Sequence, residues 1–211
     1  MIAGGIILCG GKSSRMGWPK ATLPFGPELM LQRVVRLVGG VVGPLVVVAA
    51  PQQELPPLPG EIQVVRDRRE GCGPLEGLCA GLEALQHRAD AAFATSCDVP
   101  LLVPQFVRVI LERLGDCQIV VPVDGELHHP LAAVYRTNVV PEIESLLAAD
   151  RLRPVWLFDR VRTRRVRVEE LRAADPDLQT LANLNQPADY LAALQRAGFE
   201  VPPEVRRALG L

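Results

Sequence analysis

Aromatic residues are scarce in this 211-residue chain: two Trp, two Tyr and five Phe. Proteins that hold single-stranded nucleic acid rely on aromatic stacking platforms, so that class is disfavoured. Net charge is missing as well. The chain has 23 Lys and Arg against 24 Asp and Glu, so recognition of anions has to be local rather than a property of the whole surface. No apolar run approaches the ~18 residues of a membrane-spanning helix; the longest, such as Leu45 to Ala50, are strand-sized. A secretory signal is lacking too. The apolar run Ile6 to Cys9 has no cation before it, and Lys12 and Arg15 follow it, the reverse of the required order. The five cysteines (Cys9, Cys72, Cys79, Cys97, Cys117) form no CxxC pair. An odd number without framework spacing reads as free thiols in a reducing compartment, and the expected location is the cytoplasm. Gly and Pro, 18 and 19 residues, fall short of a low-complexity composition.

What is present is a β/α alternation. Strands are expected at Ala3–Cys9, Leu45–Ala50, Ile62–Val65, Ala91–Ser96 and Ile119–Val121, and helices over Leu29–Val38, Leu75–Leu85 and Phe106–Leu114. The stretch Gln52–Gly60 is Pro-rich and reads as a loop. Such alternation implies an α/β fold, a Rossmann-like three-layer sandwich with a mostly parallel central sheet. The second half differs. Asp124-Gly125 between two β-like runs signals a β-hairpin insertion. Val139–Leu147 is helical, Arg160–Val168 reads as a strand with one apolar and one basic face, and Pro187 opens a helix through Ala197. A single domain over residues 1–198 with a short amphipathic tail, 199–211, is expected.

In an open α/β sheet, ligands bind beyond the carboxyl ends of the strands, which directs attention to Gly10–Lys20, Asp67–Pro74 and Cys97–Pro100. The first of these is not a Walker A loop: that motif needs Gly five positions before Gly11, where Ile6 stands. GxGxxG fails too. What remains is Gly10-Gly11 after a strand, then hydroxyls, then Arg15 and Lys20. Paired glycines let backbone N–H groups approach an anion, and two flanking cations suit a triphosphate. Asp98 ends an apolar strand, where a carboxylate can hold Mg²⁺ through one oxygen, the ion keeping water and phosphate ligands elsewhere. Its competing reading, an N-cap for Phe106–Leu114, is weakened by Pro104 in between. Adjacent His128 and His129 point to opposite faces of a strand and do not form a metal pair. Cys9 and Cys97 read as packing residues. Eight Arg lie between Arg151 and Arg172 against three acids. They form either a solvated edge strand or a docking surface for an anionic acceptor or a partner protein.

The string Leu8 to Lys20 resembles the signature loop LxGGxSxRMGxxK of the nucleotidyltransferases. Asp67 followed by Gly73-Pro74-Leu75-Glu76-Gly77-Leu78 resembles the D…GPLxGL element, and Cys97-Asp98-Val99-Pro100 the xDxP metal element. His129-Pro130-Leu131 with Tyr135-Arg136 resembles HPL…YR, and Asn183 to Asp189 the NxNTPxD element. In this order they resemble the molybdenum cofactor guanylyltransferases over about residues 5–197. Three departures stand out: Ala49-Ala50-Pro51 where the family often has Asn, Gln186 for Thr, and no counterpart for residues 199–211.

The resemblance implies transfer of GMP from GTP to the terminal phosphate of molybdenum-molybdopterin with release of pyrophosphate, Mg²⁺ as cofactor, and Arg15, Lys20 and Asp98 as catalytic residues. Nucleotide contacts fall to Leu8, Cys9, Gly10, Gly11, Lys20, Asp67 and Asp98, and acceptor contacts to His129, Arg136, Asn183 and Asn185. Partners are then GTP, molybdenum-molybdopterin and enzymes that make or receive the cofactor, with no nucleic acid and no membrane. The alternatives are a molybdopterin cytidylyltransferase, a sugar-1-phosphate nucleotidyltransferase, or a non-catalytic GTP-binding adaptor that delivers cofactor.

Overall fold

The computed structural model describes residues 1–10, 16–67 and 73–209. In chain order the elements are β1 (Ala3–Leu8), β2 (Pro24–Phe25), β3 (Glu28–Leu29), α1 (Met30–Gly39), β4 (Leu45–Ala49), β5 (Gln63–Arg66), α2 (Gly73–Leu85), β6 (Ala91–Ser96), α3 (Pro104–Glu112), β7 (Ile119–Asp124) and β8 (Leu127–His128). They continue with β9 (Ala133–Arg136), α4 (Val140–Ala148), α5 (Val155–Phe158), β10 (Thr163–Arg167), α6 (Pro187–Ala197) and α7 (Pro203–Leu209). Eight strands form one sheet in the order β10-β7-β9-β6-β1-β4-β5, with β8 paired to β7. The neighbours β1–β4, β1–β6, β4–β5 and β7–β10 are parallel, whereas β9 runs antiparallel to β6 and β7.

The central strands β1, β4 and β6 read as near-continuous apolar runs because both of their faces are covered. Alternate residues feed two cores. Ile7, Val47 and Phe93 meet α1 and α3 on one side; Ile6, Val46 and Ala92 meet α2 and α4 on the other. Phe93 is fully buried, and truncating such a side chain to Ala costs ~3–5 kcal/mol. The result is the three-layer α/β sandwich with a mostly parallel sheet. Among the described residues no helix is long and apolar enough to cross a membrane.

Helix boundaries differ from expectation by one or two residues. Helix α3 starts at Pro104 rather than Phe106, with proline in its first turn, where its missing N–H costs nothing. The hairpin is present, and Asp124 is its last strand residue. Gly125, at φ +57°, opens a two-residue turn to Leu127. The arginine-rich strand departs further. Buried Val166 shares a face with Arg164, and Arg165 and Arg167 share the opposite face with Thr163, so basic residues stand on both sides. At the sheet edge, long Arg stems reach past their neighbours to solvent and local partners, which removes the need for a wholly apolar face.

A third apolar cluster lies outside these layers. Met16, Leu23, Phe25, Met30, Leu184, Tyr190 and Val205 are buried in it, with Trp18, Leu101, Phe199, Val201 and Leu209 packed around them. The segment read as a short amphipathic tail contributes to this core through α7.

Candidate active site

Because β1, β4, β5 and β6 are parallel, their carboxyl ends open on one edge. Backbone ladders continue one step past the strands: the N–H of Cys9 donates to Val48 O at 2.7 Å, Asp67 N–H to Ala49 O at 3.0 Å and Cys97 N–H to Leu8 O at 3.0 Å. These bonds fix Gly10, Asp67 and Asp98 on that edge.

Asp98 is buried, with 7% of its surface exposed. The ammonium of Lys20 donates to its Oδ2 at 2.7 Å and to Asn185 Oδ1 at 2.9 Å. The amide of Asn183 donates to Asp98 Oδ1 at 3.2 Å, and the hydroxyl of Ser96 donates to the same oxygen. The Asp98 carbonyl accepts the N–H of Leu184 at 2.9 Å. Asn185 and Gln186 N–H groups both donate to Asp189 Oδ2 at 2.9 Å, which pins the Asn-rich turn to the start of α6. Four residues expected from two halves of the chain thus share one cluster. Asn183 and Asn185, expected on an acceptor side, stand on the Lys20–Asp98 ion pair itself. Ser96 was not expected; a hydroxyl two residues before Asp98 was the available signal.

Asp67 lies over the glycines. A Cβ on Gly10 would come within 3.0 Å of Asp67 Oδ2, and one on Gly77 within 3.3 Å of its Oδ1. Glycine at both places is what lets the carboxylate approach the backbone. Oδ1 is buried with no hydrogen-bond partner. Burial, and secondarily the Glu76 carboxylate, raises the Asp67 carboxyl above its ordinary value. Nearby, Gln53 Nε2 donates to Cys9 O at 3.1 Å, and Arg66 Nη1 donates to the carbonyls of Ala50 and Gln53 at 2.9 and 2.8 Å. Neither residue was singled out from sequence, since a glutamine in a Pro-rich loop and an arginine ending a strand carry no motif.

The side chains of Cys9 and Cys97 are buried at adjacent strand ends. Hydrogen bonding to Cys97 and then burial push the Cys9 thiol well up, so it is held protonated and packs rather than reacts. Leu8 is buried in the sheet core and can meet a ligand through its backbone alone.

His129 follows β8 at the same sheet edge, its N–H on Pro122 O at 2.9 Å, and burial lowers its imidazole below 6.5 against the pull of Asp124. Arg136 is elsewhere. It pairs with Ala91 at the opposite end of β6, and its guanidinium donates to the carbonyls of Cys117 and Gly115 at 3.0 and 2.7 Å. The structure does not bring it to the cluster, because antiparallel β9 carries the chain from His129 back across the sheet. Gly11 and Arg15 lie outside the described residues.

Among the described residues, no three His, Cys, Asp or Glu side chains converge as a metal cage. A lone buried carboxylate with amide oxygens beside it suits a hard divalent cation that takes one protein carboxylate and completes its shell with water and phosphate oxygens.

The chain matches the MobA-like NTP transferase domain over residues 5–166. A relative from Mycobacterium ulcerans, named "Probable molybdenum cofactor guanylyltransferase", is 37% identical over 199 residues, covering 90% of this chain and 92% of the relative. One of the same name from Mycobacterium tuberculosis is 35% identical over 196 residues, with the same coverage. The crystal structure of molybdopterin-guanine dinucleotide biosynthesis protein A from Archaeoglobus fulgidus superposes with a TM-score of 0.74 over 94% of this chain and 99% of that one, at 21% identity, a likeness of fold. With the family domain spanning most of the chain, this protein belongs to the MobA-like NTP transferases and is a nucleotidyltransferase enzyme.

Proposed function

We propose that this enzyme transfers GMP from GTP to the terminal phosphate of molybdenum-molybdopterin, forming the guanine dinucleotide cofactor and pyrophosphate. The observation that carries the reading is the Lys20–Asp98 pair, ringed by Asn183 and Asn185 at the carboxyl edge of the sheet beside Gly10. The names of the relatives supply the direction of the chemistry.

The acceptor phosphate is already an anion, so its attack needs no strong general base. An acceptor oxygen forms a bond to the α-phosphorus of GTP, the bond from that phosphorus to the bridging β-oxygen breaks in line, and the electron pair leaves with pyrophosphate. Catalysis then rests on positioning and charge neutralisation. Lys20 meets the growing negative charge of the leaving group. Asp98 would be the carboxylate that holds Mg²⁺, with Asn185 Oδ1 on the same Lys20 ammonium. When bound, that ion neutralises phosphate charge and orients the triphosphate. Asn183 and Asn185 offer amide donors to the incoming phosphate once the nucleotide draws Lys20 away. Arg15, by resemblance, adds a second cation, and Gly10 and Gly11 supply backbone N–H groups. His129, at the same edge, is assigned to the pterin by resemblance. Arg136 has no part in this mechanism.

Asp67 supports guanine as the base. Its carboxylate only accepts hydrogen bonds, and guanine presents two adjacent donors, N1–H and N2–H₂, whereas cytosine presents one. Oδ2 beside Gly10 and the unpartnered Oδ1 beside Gly77 are two acceptors for that edge. We place the protein in the cytoplasm, where thiols such as Cys9, Cys97 and Cys117 stay reduced. The test is a panel of the four NTPs with purified protein, molybdenum-molybdopterin and Mg²⁺, reading pyrophosphate release. GTP should be preferred strongly. A preference for CTP overturns the base assignment, and absence of release with every NTP overturns the transferase reading.

A further inference from the structure

Lys20, Asp98, Asn183 and Asn185 stand on three segments, 16–20, 98–101 and 183–185; Val99 of the second joins the core on the α1 and α3 side. Each contributes an apolar side chain to the third cluster. Met16 and Leu184 are buried there, and Leu101 packs against them. Leu184 lies between the two asparagines that contact Asp98 and Lys20.

The outer wall of this cluster is the C-terminal segment. Val205 of α7 is fully buried, and Leu209 at its end lies on Gly17, where an added Cβ would stand 3.7 Å from Leu209 Cδ2. Phe199 closes the other side. Its ring lies on the Gly26 turn, where φ is +65° and a Cβ would come within 2.6 Å of the ring, and it meets Phe25 edge-on with centroids 5.7 Å apart. The guanidinium of Arg33 sits 5.8 Å from the Phe199 centroid, and its Nε donates to Pro100 O at 2.6 Å. One end of the segment therefore bears on the strand of chain leading to Lys20, the other on the turn that follows Asp98.

We infer that residues 199–209 are a positioning element, which sets the separation of Lys20 and Asp98 by clamping the third cluster from outside. None of these tail residues touches the reacting groups. A misplacement of about 1 Å is enough to cost ~100-fold in rate. The inference goes beyond the proposed reaction and is tested by a readout that does not depend on it.

The chain contains only two lysines, Lys12 and Lys20, among its 23 basic residues, so selective ¹³C,¹⁵N-lysine labelling gives two side-chain signals, with Lys20 assigned by its loss in Lys20→Arg. The full-length protein is compared with Leu209→Asp and Phe199→Ser, each alongside its conservative partner, Leu209→Met and Phe199→Leu. In the disruptive variants the Lys20 ε signal should move towards its position in Asp98→Asn, and kcat with GTP should fall about tenfold to a hundredfold at little change in KM, as expected when transition-state contacts alone are loosened. The conservative variants should restore both. Should a disruptive variant fail to fold, Leu209→Ala provides the same comparison with a smaller change. A Lys20 signal that stays in place while the melting temperature falls overturns the inference and leaves the tail as a source of stability alone. A wild-type enzyme inactive with GTP and molybdenum-molybdopterin overturns the proposed substrates, and the lysine signal still decides the role of the tail.

Discussion

Two polar regions of this molecule differ in a way that composition conceals. Between Arg151 and Arg172 eight arginines face three acids, and the structure disperses them along an exposed edge. Arg165 pairs with Asp159 at 2.6 Å, Arg162 with Asp116 at 3.3 Å, and Arg164 reaches the carbonyl of Arg113 at 2.8 Å. At the carboxyl edge Lys20 pairs with Asp98, and their side chains are only 17% and 11% exposed. Yet that pair gathers hydrogen-bond partners from residues more than a hundred positions apart. Charge density marks the first region and convergence the second. Exposed pairs are weakened by water and salt and contribute little, whereas a partly buried pair keeps its strength and its geometry.

The comparison breaks most sharply at Asp98. Asp98→Asn keeps the shape, removes the charge that would hold a divalent cation, and leaves Lys20 with amide partners only. We expect kcat to fall about 10²–10³-fold, the scale of losing one electrostatic stabiliser, with circular dichroism unchanged. Near-normal Mg²⁺-dependent turnover would remove Asp98 from the metal site. Lys20→Ala should have the next largest effect, about 10²-fold in kcat and less in GTP affinity, because the charge it meets grows as pyrophosphate leaves. An equal loss in affinity at constant kcat would make it a binding residue instead.

The layered sandwich was legible because apolar runs and β/α alternation are local signals. So was Asp98, since a carboxylate directly after a buried strand needs a reason to be there. Arg136 shows where legibility stops. A motif places it near His129 in sequence, but β9 is antiparallel, and a helical turn at Pro130–Ala132 followed by that strand carries it to the far end of β6. Strand direction within a mixed sheet leaves no mark in a short motif. The tail was equally opaque. Val201, Val205 and Leu209 read as a weak amphipathic pattern, and nothing local says that their partners are Met16, Phe25 and Leu184.

Asp67 sharpens the comparison from a third position, since it is a carboxylate with one oxygen buried unpartnered. Its carboxyl is raised by burial first and Glu76 second, so its ionised form costs stability: the contribution is most favourable below about pH 3.8 and is lost as pH rises through the higher folded value. Asp67→Asn should therefore raise the melting temperature at pH 7. If the carboxylate reads guanine, the same change should weaken GTP binding by about 1.5–3 kcal/mol, roughly tenfold to a hundredfold, by calorimetry. A variant that is stabilised and still binds GTP normally would leave Asp67 with no part in base recognition.

The smallest effect is expected where charge is most abundant. In the double variant Arg162→Ser, Arg164→Ser, one lost partner is Asp116, 89% exposed, and the other is a backbone carbonyl that water can satisfy. Surface changes of this kind stay within about ±0.5 kcal/mol, so affinities for GTP and for molybdenum-molybdopterin should hold to about twofold. The measurement is a titration with each ligand at two salt concentrations. Exposed phosphate contacts are screened over a Debye length of about 8 Å at physiological ionic strength, so an acceptor-docking role would show as weaker molybdopterin binding at low salt, narrowing as salt is added. That pattern would turn the arginine edge into part of the acceptor site. Unchanged binding at both salts leaves β10 as an edge strand whose charges keep another strand from pairing with it.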